Sequence, residues 1–144
     1  MALDCVHVVL SATNVGNARD FYVKKLGLKP LEDSPNFFAV RMGGLRISVF
    51  GGGKRCDVEK DEGNNLKLVL RTDNIEKSKK DLAGRGVKFD GEIQEAPGFM
   101  RYVPLLDPDN NVLFLAQYLG NPLAVAGRKL AKSAKQTATR KKRR

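Results

Sequence analysis

Apolar and polar positions follow a pattern along the chain that occurs twice. Residues 6–14 (VHVVLSATN) and 66–74 (LKLVLRTDN) match at an offset of sixty positions, with apolar residues against apolar residues. Each copy is typical of a short strand, and each ends at an asparagine that can cap a following helix. Because the repeat has only two copies, it indicates a duplicated module and not a solenoid.

The first half of the pattern predicts a strand, a helix and three more strands. A stripe of apolar residues at helical spacing covers 15–26, and Gly27 is placed to end that helix in a left-handed conformation. Gly43-Gly44 is typical of a hairpin turn between two of the strands. The three strands are predicted at 28–31, 37–42 and 45–50.

The second half repeats this order. A strand at 66–72 precedes a helix that Asp73 or Asn74 caps and that ends before Gly86. The stretch 92–98 is interpreted as a loop, and Asp107-Pro108-Asp109 as a turn, because these residues favour turns. The remaining strands are predicted at 87–89, 100–106 and 111–117.

The predicted fold class is therefore α+β, with two βαβββ modules that pair around a shared cleft. The modules are residues 1–52 and 64–120, and a linker at 53–63 joins them into one domain of residues 1–120. The composition changes after residue 120, which predicts that 121–144 is a basic C-terminal tail, partly helical or disordered.

Three stretches at characteristic spacing carry a family resemblance. They are the strand from His7 to Asn14, the ARDFY sequence at 18–22 that leads to Leu-Gly-Leu at 26–28, and MRY at 100–102 that leads to DPDNNVLFL at 107–115. With them the chain resembles the vicinal oxygen chelate superfamily, which contains glyoxalase I, extradiol dioxygenases and fosfomycin- and bleomycin-resistance proteins. The resemblance implies a glyoxalase-like domain over residues 1–120, and it also implies a homodimer.

The resemblance further implies a divalent metal, held by His, Gln or Glu side chains on the first and last strands of each half. His7 matches such a ligand position, but the equivalent Lys67 has no free lone pair when it is protonated. Phe114 stands where the superfamily has Glu, and the fourth position is Ser48, with Ile47 as the competing register. His7 is the only matching metal-ligand position, so we expect no cofactor, and a divalent metal remains the alternative.

Strand alternation predicts which side chains line the cleft. Positions 6, 8 and 10, with 66, 68 and 70, should pack under the helices, while the intervening positions point into the cleft. The candidate ligand-binding residues are His7, Val9, Ser11, Ser48, Lys67, Val69, Arg71, Tyr102 and Phe114.

Apolar walls with one imidazole and one or two cations suit a small organic anion. His7 or a desolvated Lys67 could also act as a base, so whether the protein is an enzyme stays open. In the alternative interpretation, His7 is a core histidine bonded to a backbone carbonyl, and Lys67 extends from an open sheet face to solvent.

The charge and cysteine content indicate possible partners of the tail and the cellular compartment of the protein. Nine of the 26 Lys and Arg residues lie in 121–144, which has no acid, so the other 17 are nearly balanced by 16 acids. The tail, through 128–144, is either a contact for nucleic acid or another polyanion, or a solubilising segment. Two cysteines make no disulfide framework, and no signal sequence or apolar span is present. We therefore expect a cytoplasmic protein with no membrane association.

Three functions are compatible with this sequence. The favoured one is a glyoxalase/bleomycin-resistance-like protein that binds a small organic molecule, with an anion preferred, in the inter-module cleft without a metal. The second is a metal-dependent lyase or dioxygenase of the glyoxalase type with a rearranged site, and the third is a scaffold whose basic tail binds nucleic acid. Bleomycin itself is a poor ligand candidate, since it is cationic and the chain is basic and has no Trp to stack on it.

Overall fold

The first half of the chain forms a four-stranded sheet with one helical segment. The computed structural model describes residues 2–57, 59 and 65–123. The sheet has the order β1-β4-β3-β2, in which β1 is parallel to β4 and the other pairs are antiparallel. Its elements are β1 (His7–Ser11), α1 (Val15–Arg19), a π-helix (Asp20–Lys25), β2 (Lys29–Ser34), β3 (Phe37–Met42) and β4 (Leu45–Phe50).

The second half repeats this topology with one additional strand. Its elements are β5 (Leu68–Arg71), α2 (Ile75–Gly84), β6 (Lys88–Phe89), β7 (Gln94–Ala96), β8 (Met100–Leu106) and β9 (Val112–Tyr118). The sheet has the order β5-β9-β8-β6, with β7 also paired to β8, and β5 is parallel to β9 just as β1 is parallel to β4. The predicted α+β fold of two repeated modules is confirmed.

The ends of the helical segments are set by the residues that the pattern singled out. Asn14 accepts a hydrogen bond from the Asn17 amide at 2.9 Å, and Asn74 does the same for Lys77 at 3.1 Å. Gly27 and Gly86 follow the helical segments with φ of 73° and 89°, a conformation that glycine adopts without steric cost.

Three elements differ from the sequence-based prediction. β2, predicted at 28–31, is Lys29–Ser34 and so ends three residues later than predicted. The helix predicted at 15–26 changes from α to π geometry after Arg19, and the Leu26 amide bonds to the Phe21 carbonyl five residues earlier. β7 lies inside the stretch predicted to be a loop, where Gln94 and Glu95 give no apolar alternation. β7 forms because it pairs with β8, so the sequence of β7 alone does not predict a strand.

A shared core joins the inner faces of both sheets to both helical segments. It includes the buried side chains of Tyr22, Ile47, Ile75, Leu105 and Leu113. Val8 and Leu10 on β1, with Leu68 and Leu70 on β5, pack against this core as predicted. The prediction was wrong for Val6 and Leu66, which are 60% and 91% exposed, because both residues lie before their strands begin.

The turn between β8 and β9 ties the second module to the first. Asp107 accepts a hydrogen bond from the Tyr22 hydroxyl at 2.8 Å, and Asp109 accepts one from the Thr13 amide at 3.2 Å. The Cys56 amide donates to the Asp109 carbonyl at 2.8 Å. Asp107 and Asp109 are buried, so the segment predicted to be a turn is also the polar junction between the modules.

The described residues include no helix that is long and apolar enough to cross a bilayer. The predicted tail beyond residue 123 lies outside the described residues, as do residues 58 and 60–63 of the predicted linker.

Candidate functional site

Strand register orders the outer face of the first sheet into three rows of side chains. Residues that are register partners on neighbouring strands point to the same face of a sheet. The rows are Arg41, Arg46 and His7; then Ala39, Ser48 and Val9; then Phe37, Phe50 and Ser11. The face therefore has a cationic end, a centre of small side chains and an aromatic end.

His7 lies at the cationic end and takes part in a chain of side-chain hydrogen bonds. Its Nε2 is 2.7 Å from Ser48 Oγ, and Arg46 Nε donates to the same oxygen at 3.0 Å. A second N–H of Arg46 pairs with Glu32 at 2.6 Å. His7 is exposed and bonded to a side chain, so the interpretation as a core histidine bonded to a backbone carbonyl was wrong.

The proton arrangement at Ser48 follows from its burial. Ser48 is 1% exposed, so its hydroxyl proton needs an acceptor within the protein. Arg46 can only donate, so His7 Nε2 is the acceptor available to the Ser48 hydroxyl, and a hydrogen bond in this direction would place the imidazole proton on Nδ1. The alternative register is excluded, because Ile47 is completely buried in the core.

The aromatic end presents a flat apolar surface. The rings of Phe37 and Phe50 stack with their centres 4.7 Å apart, and the guanidinium of Arg46 lies 6.0 Å from the Phe37 ring centre. Phe50 and Val9 are 44% and 57% exposed. An apolar surface beside a guanidinium can contact both halves of a small amphipathic ligand.

The outer face of the second sheet is more apolar. One row contains Val69, Phe114 and Pro104, and the next contains Arg71, Ala116 and Tyr102. The rings of Tyr102 and Phe114 meet edge to face at 5.5 Å. The Tyr102 hydroxyl donates to Gln94 on β7 at 3.0 Å.

Lys67 precedes β5 and is exposed, so the burial that a neutral lysine base would require is not present. Arg101, the neighbour of Tyr102, points to the helix side of the sheet and pairs with Glu76 on α2. The wall of this face is therefore formed by Tyr102 and not by Arg101.

The predicted site residues thus fall into two groups, one on each sheet. His7, Val9, Ser11 and Ser48 share the first sheet, and Val69, Arg71, Tyr102 and Phe114 share the second. Sequence reasoning missed Arg46 and Phe50. Both lie two positions from Ser48 on β4, so alternation along that strand was the signal that could have found them.

The junction between the modules holds two groups whose pKa is raised, Tyr22 and Cys56. Burial, and then the nearby carboxylates of Asp107 and Asp109, raise the pKa of the Tyr22 hydroxyl well above its ordinary value. The same causes raise the pKa of the Cys56 thiol. Both groups stay protonated at neutral pH, which suits hydrogen-bond donors better than catalytic nucleophiles: the Tyr22 hydroxyl donates to Asp107, and the Cys56 thiol donates to the Asn111 side-chain oxygen.

Comparison with known proteins agrees with this architecture. The family model of the Glyoxalase/Bleomycin resistance protein/Dioxygenase superfamily matches residues 5–115. The chain belongs to this superfamily. No curated protein matches it significantly.

Solved structures of the superfamily share the fold at low sequence identity. A glyoxalase/bleomycin resistance protein/dioxygenase from Alicyclobacillus acidocaldarius is 23% identical, with a TM-score of 0.66 over 84% of this chain and 96% of that one. A glyoxalase/bleomycin resistance protein/dioxygenase from Nocardioides is 14% identical, with a TM-score of 0.68 over 84% of this chain and 87% of that one. A glyoxalase-related enzyme from Fulvimarina pelagi is 14% identical, with a TM-score of 0.65 over 81% and 88%.

The residues of this superfamily member do not fit the divalent metal that the resemblance implies. Phe114 has no donor atom, Lys67 is an amine that is protonated when exposed, and the Nε2 lone pair of His7 is directed at Ser48. Among the described residues, no group of three or more His, Cys, Asp or Glu side chains is arranged to hold a metal ion.

Proposed function

We propose that this member of the superfamily binds a small organic anion on its outer sheet faces without a metal ion. The observation that carries the proposal is the hydrogen-bond chain from His7 through Ser48 to Arg46. At the position where the superfamily has a metal ligand, this chain has two hydrogen-bond donors, His7 and Arg46, which Ser48 holds in place. A carboxylate or similar anion needs such donors and no Lewis acid.

The two donors act on the anion in different ways. Arg46 uses one N–H for Ser48 and another for Glu32, and its guanidinium has five N–H groups in all. The remaining donors supply charge and a planar geometry that matches a carboxylate. The Nδ1–H of a neutral His7 adds a directional hydrogen bond. Ser48 orients both side chains, so less conformational freedom is lost when the anion binds.

The apolar part of the ligand is assigned to the aromatic side chains. Phe37 and Phe50 offer their stacked surface next to Arg46, and Tyr102 and Phe114 offer a second apolar wall on the other sheet. A planar ring that carries an acidic group combines both requirements.

Calorimetric titration with benzoate and with its neutral isostere benzamide tests this function. The protein is first treated with EDTA, and we expect benzoate to bind at least about tenfold more tightly than benzamide, because a charge-assisted hydrogen bond contributes more than a neutral one. Arg46→Gln should remove most of this preference. Lys80→Gln, on the exposed side of α2, changes the net charge equally and should leave it unchanged.

Two results would contradict the proposal. One is that benzoate and benzamide bind equally or that neither binds at millimolar concentration. The other is that benzoate binds only after Zn²⁺ or Mn²⁺ is added, which would favour the metal-dependent lyase or dioxygenase.

A further inference from the structure

A groove on the helix side of the molecule is separate from the outer sheet faces. It has a volume of about 350 Å³ and lies where the π-helix, the segment after β4 and the second sheet meet. Three cationic residues from three different segments line it: Lys25 at the end of the π-helix, Arg55 after β4, and Lys88 on β6. None of these residues belongs to the rows that form the outer faces.

Neighbouring contacts hold the groove in shape. Arg55 donates to the Pro108 carbonyl at 3.1 Å, which fixes its side chain at the β8–β9 turn. The Lys25 carbonyl accepts a hydrogen bond from Arg85 at 3.1 Å, so the end of the π-helix is attached to the second module. A Cβ added at Gly86 would lie 3.6 Å from Lys25 Nζ, so the ammonium group of the first module lies beside the backbone of the second.

The acids in the groove leave part of this positive charge uncompensated. Both carboxylate oxygens of Asp107 are occupied, because they accept hydrogen bonds from Tyr22, from the Asp109 amide and from the amide and side chain of Asn111. Asp20 is half-exposed and lies 4.0 Å from Lys25 and 3.7 Å from Lys24. The three cations of the groove therefore face two carboxylates, which leaves a net charge of +1, and of the two acids only Asp20 is exposed to solvent.

Apolar side chains complete the lining. Leu106 and Pro108 are half-buried and border the same space as the cations. A volume of this size admits a small molecule with a few heavy atoms beyond a single anion. The groove thus combines an anion-binding end with a short apolar wall.

We propose that this groove binds a small phosphomonoester. A phosphate dianion presents several oxygens, and cations that approach from three segments can each contact a different one. The organic group lies against Leu106 and Pro108. Because Lys25 belongs to the first module and Lys88 to the second, the bound ligand connects the modules and stabilises their arrangement.

Calorimetry of the full chain with phenyl phosphate and with inorganic phosphate tests this site. With excess benzoate present to occupy the proposed outer-face site, we expect one phenyl phosphate per chain, bound at least about fivefold more tightly than inorganic phosphate. Lys88→Gln should weaken phenyl phosphate binding about tenfold, since it removes one charge-assisted contact. Asp20→Asn should strengthen the binding about threefold, since it removes the competing carboxylate.

The control separates this groove from the general basicity of the chain. Lys80→Gln lowers the net charge by the same amount on exposed α2 and should leave the affinity unchanged. The thermal midpoint of each variant without ligand shows that the fold is retained.

Several results would overturn the proposal. They are the absence of phenyl phosphate binding at millimolar concentration, equal affinity for inorganic phosphate, and equal loss of affinity in Lys88→Gln and Lys80→Gln. A decrease of affinity in Asp20→Asn would also overturn it, because the carboxylate would then be part of the ligand's contacts and not a competitor.

Discussion

Tyr22 shows how one side chain connects the two modules. Its ring is buried against Phe21 and Phe38, and its hydroxyl donates to buried Asp107 of the second module at 2.8 Å. The apolar spacing of the first helix predicted that Tyr22 points inward. The partner, 85 residues away, could not be predicted, because helical periodicity gives a direction and not the identity of the contact.

Replacing Tyr22 by Phe should destabilise the protein by about 2 kcal/mol, since a buried carboxylate oxygen loses a hydrogen-bond donor. Chemical denaturation at pH 7 measures this cost. The control is Tyr102→Phe, whose hydrogen bond to Gln94 is exposed to solvent and should cost less than about 0.5 kcal/mol. Equal costs for the two variants would contradict the role of Tyr22.

The same side chain makes a pH-dependent contribution. The pKa of Tyr22 is raised in the folded protein, so the folded state keeps the proton that the unfolded chain loses above about pH 10. Its contribution is fully present below pH 10 and is lost as the pH rises towards the folded pKa. The wild-type protein should therefore lose more stability than Tyr22→Phe between pH 9 and pH 11.

Ser48 and Arg46 show what could and could not be predicted at the site. Alternation along β4 predicted that Ser48 shares a face with His7, and the 2.7 Å contact places the two together. Arg46 lies on the same alternation but was not predicted, because it does not correspond to a metal-ligand position of the superfamily. The hydrogen bond between Arg46 and Ser48 depends on side-chain rotamers, which the strand pattern does not determine.

At the scale of elements, the segment after β4 crosses the end of β1 closely. The Gly53 amide donates to the Ala12 carbonyl at 3.0 Å, and the Ala12 amide donates to Phe50 at 2.7 Å. A Cβ at Gly53 would lie 2.5 Å from the backbone carbon and oxygen of Ser11. Only glycine allows this approach, which the glycine-rich sequence at 51–53 could not assign to one position.

We expect Gly53→Ala to destabilise the protein by about 1–3 kcal/mol, because the backbone of β1 or of the crossing segment must shift. The matched control is Gly44→Ala in the β3–β4 hairpin, where an added Cβ meets nothing within 4 Å. Its effect should stay within about 0.5 kcal/mol. The account is contradicted if thermal unfolding shows the same midpoint for both variants.

Sequence patterns predicted the long elements better than the short ones. β3, β4 and β8 have the predicted bounds, since their alternating apolar residues bury one face against the core. β7 has only three residues and forms through its pairing with β8. The π-helix was missed because its spacing differs from that of an α-helix by less than one residue per turn.

At the scale of the whole molecule, the internal repeat was sufficient to predict the α+β fold of two modules. The shared core, built from the inner faces of both sheets, follows from the matched apolar positions of β1 and β5. The polar junction does not follow from the repeat, because Asp107 and Asp109 accept hydrogen bonds from Tyr22 and Thr13 of the other module. The homodimer and the nucleic-acid contact through 128–144 stay predictions.

Membership of the superfamily therefore determines the fold of this chain but not the chemistry of its site. Register places His7 and Ser48 on the outer face of the first sheet, and Val69 and Phe114 on that of the second. His7 and Ser48 are hydrogen-bonded to each other, and the ring of Phe114 packs against that of Tyr102. A fold can keep its cleft while the residues in it change the ligand.

The most direct test of the central proposal is ¹⁵N NMR of the imidazole, because His7 is the only histidine in the sequence. In the EDTA-treated protein we predict a neutral ring with its proton on Nδ1, a change of this signal in Ser48→Ala, and a shift of Nδ1 on titration with benzoate. Added Zn²⁺ should leave the signals unchanged. A shift of Nε2 characteristic of metal coordination, with benzoate affecting the ring only when Zn²⁺ is present, would contradict the account.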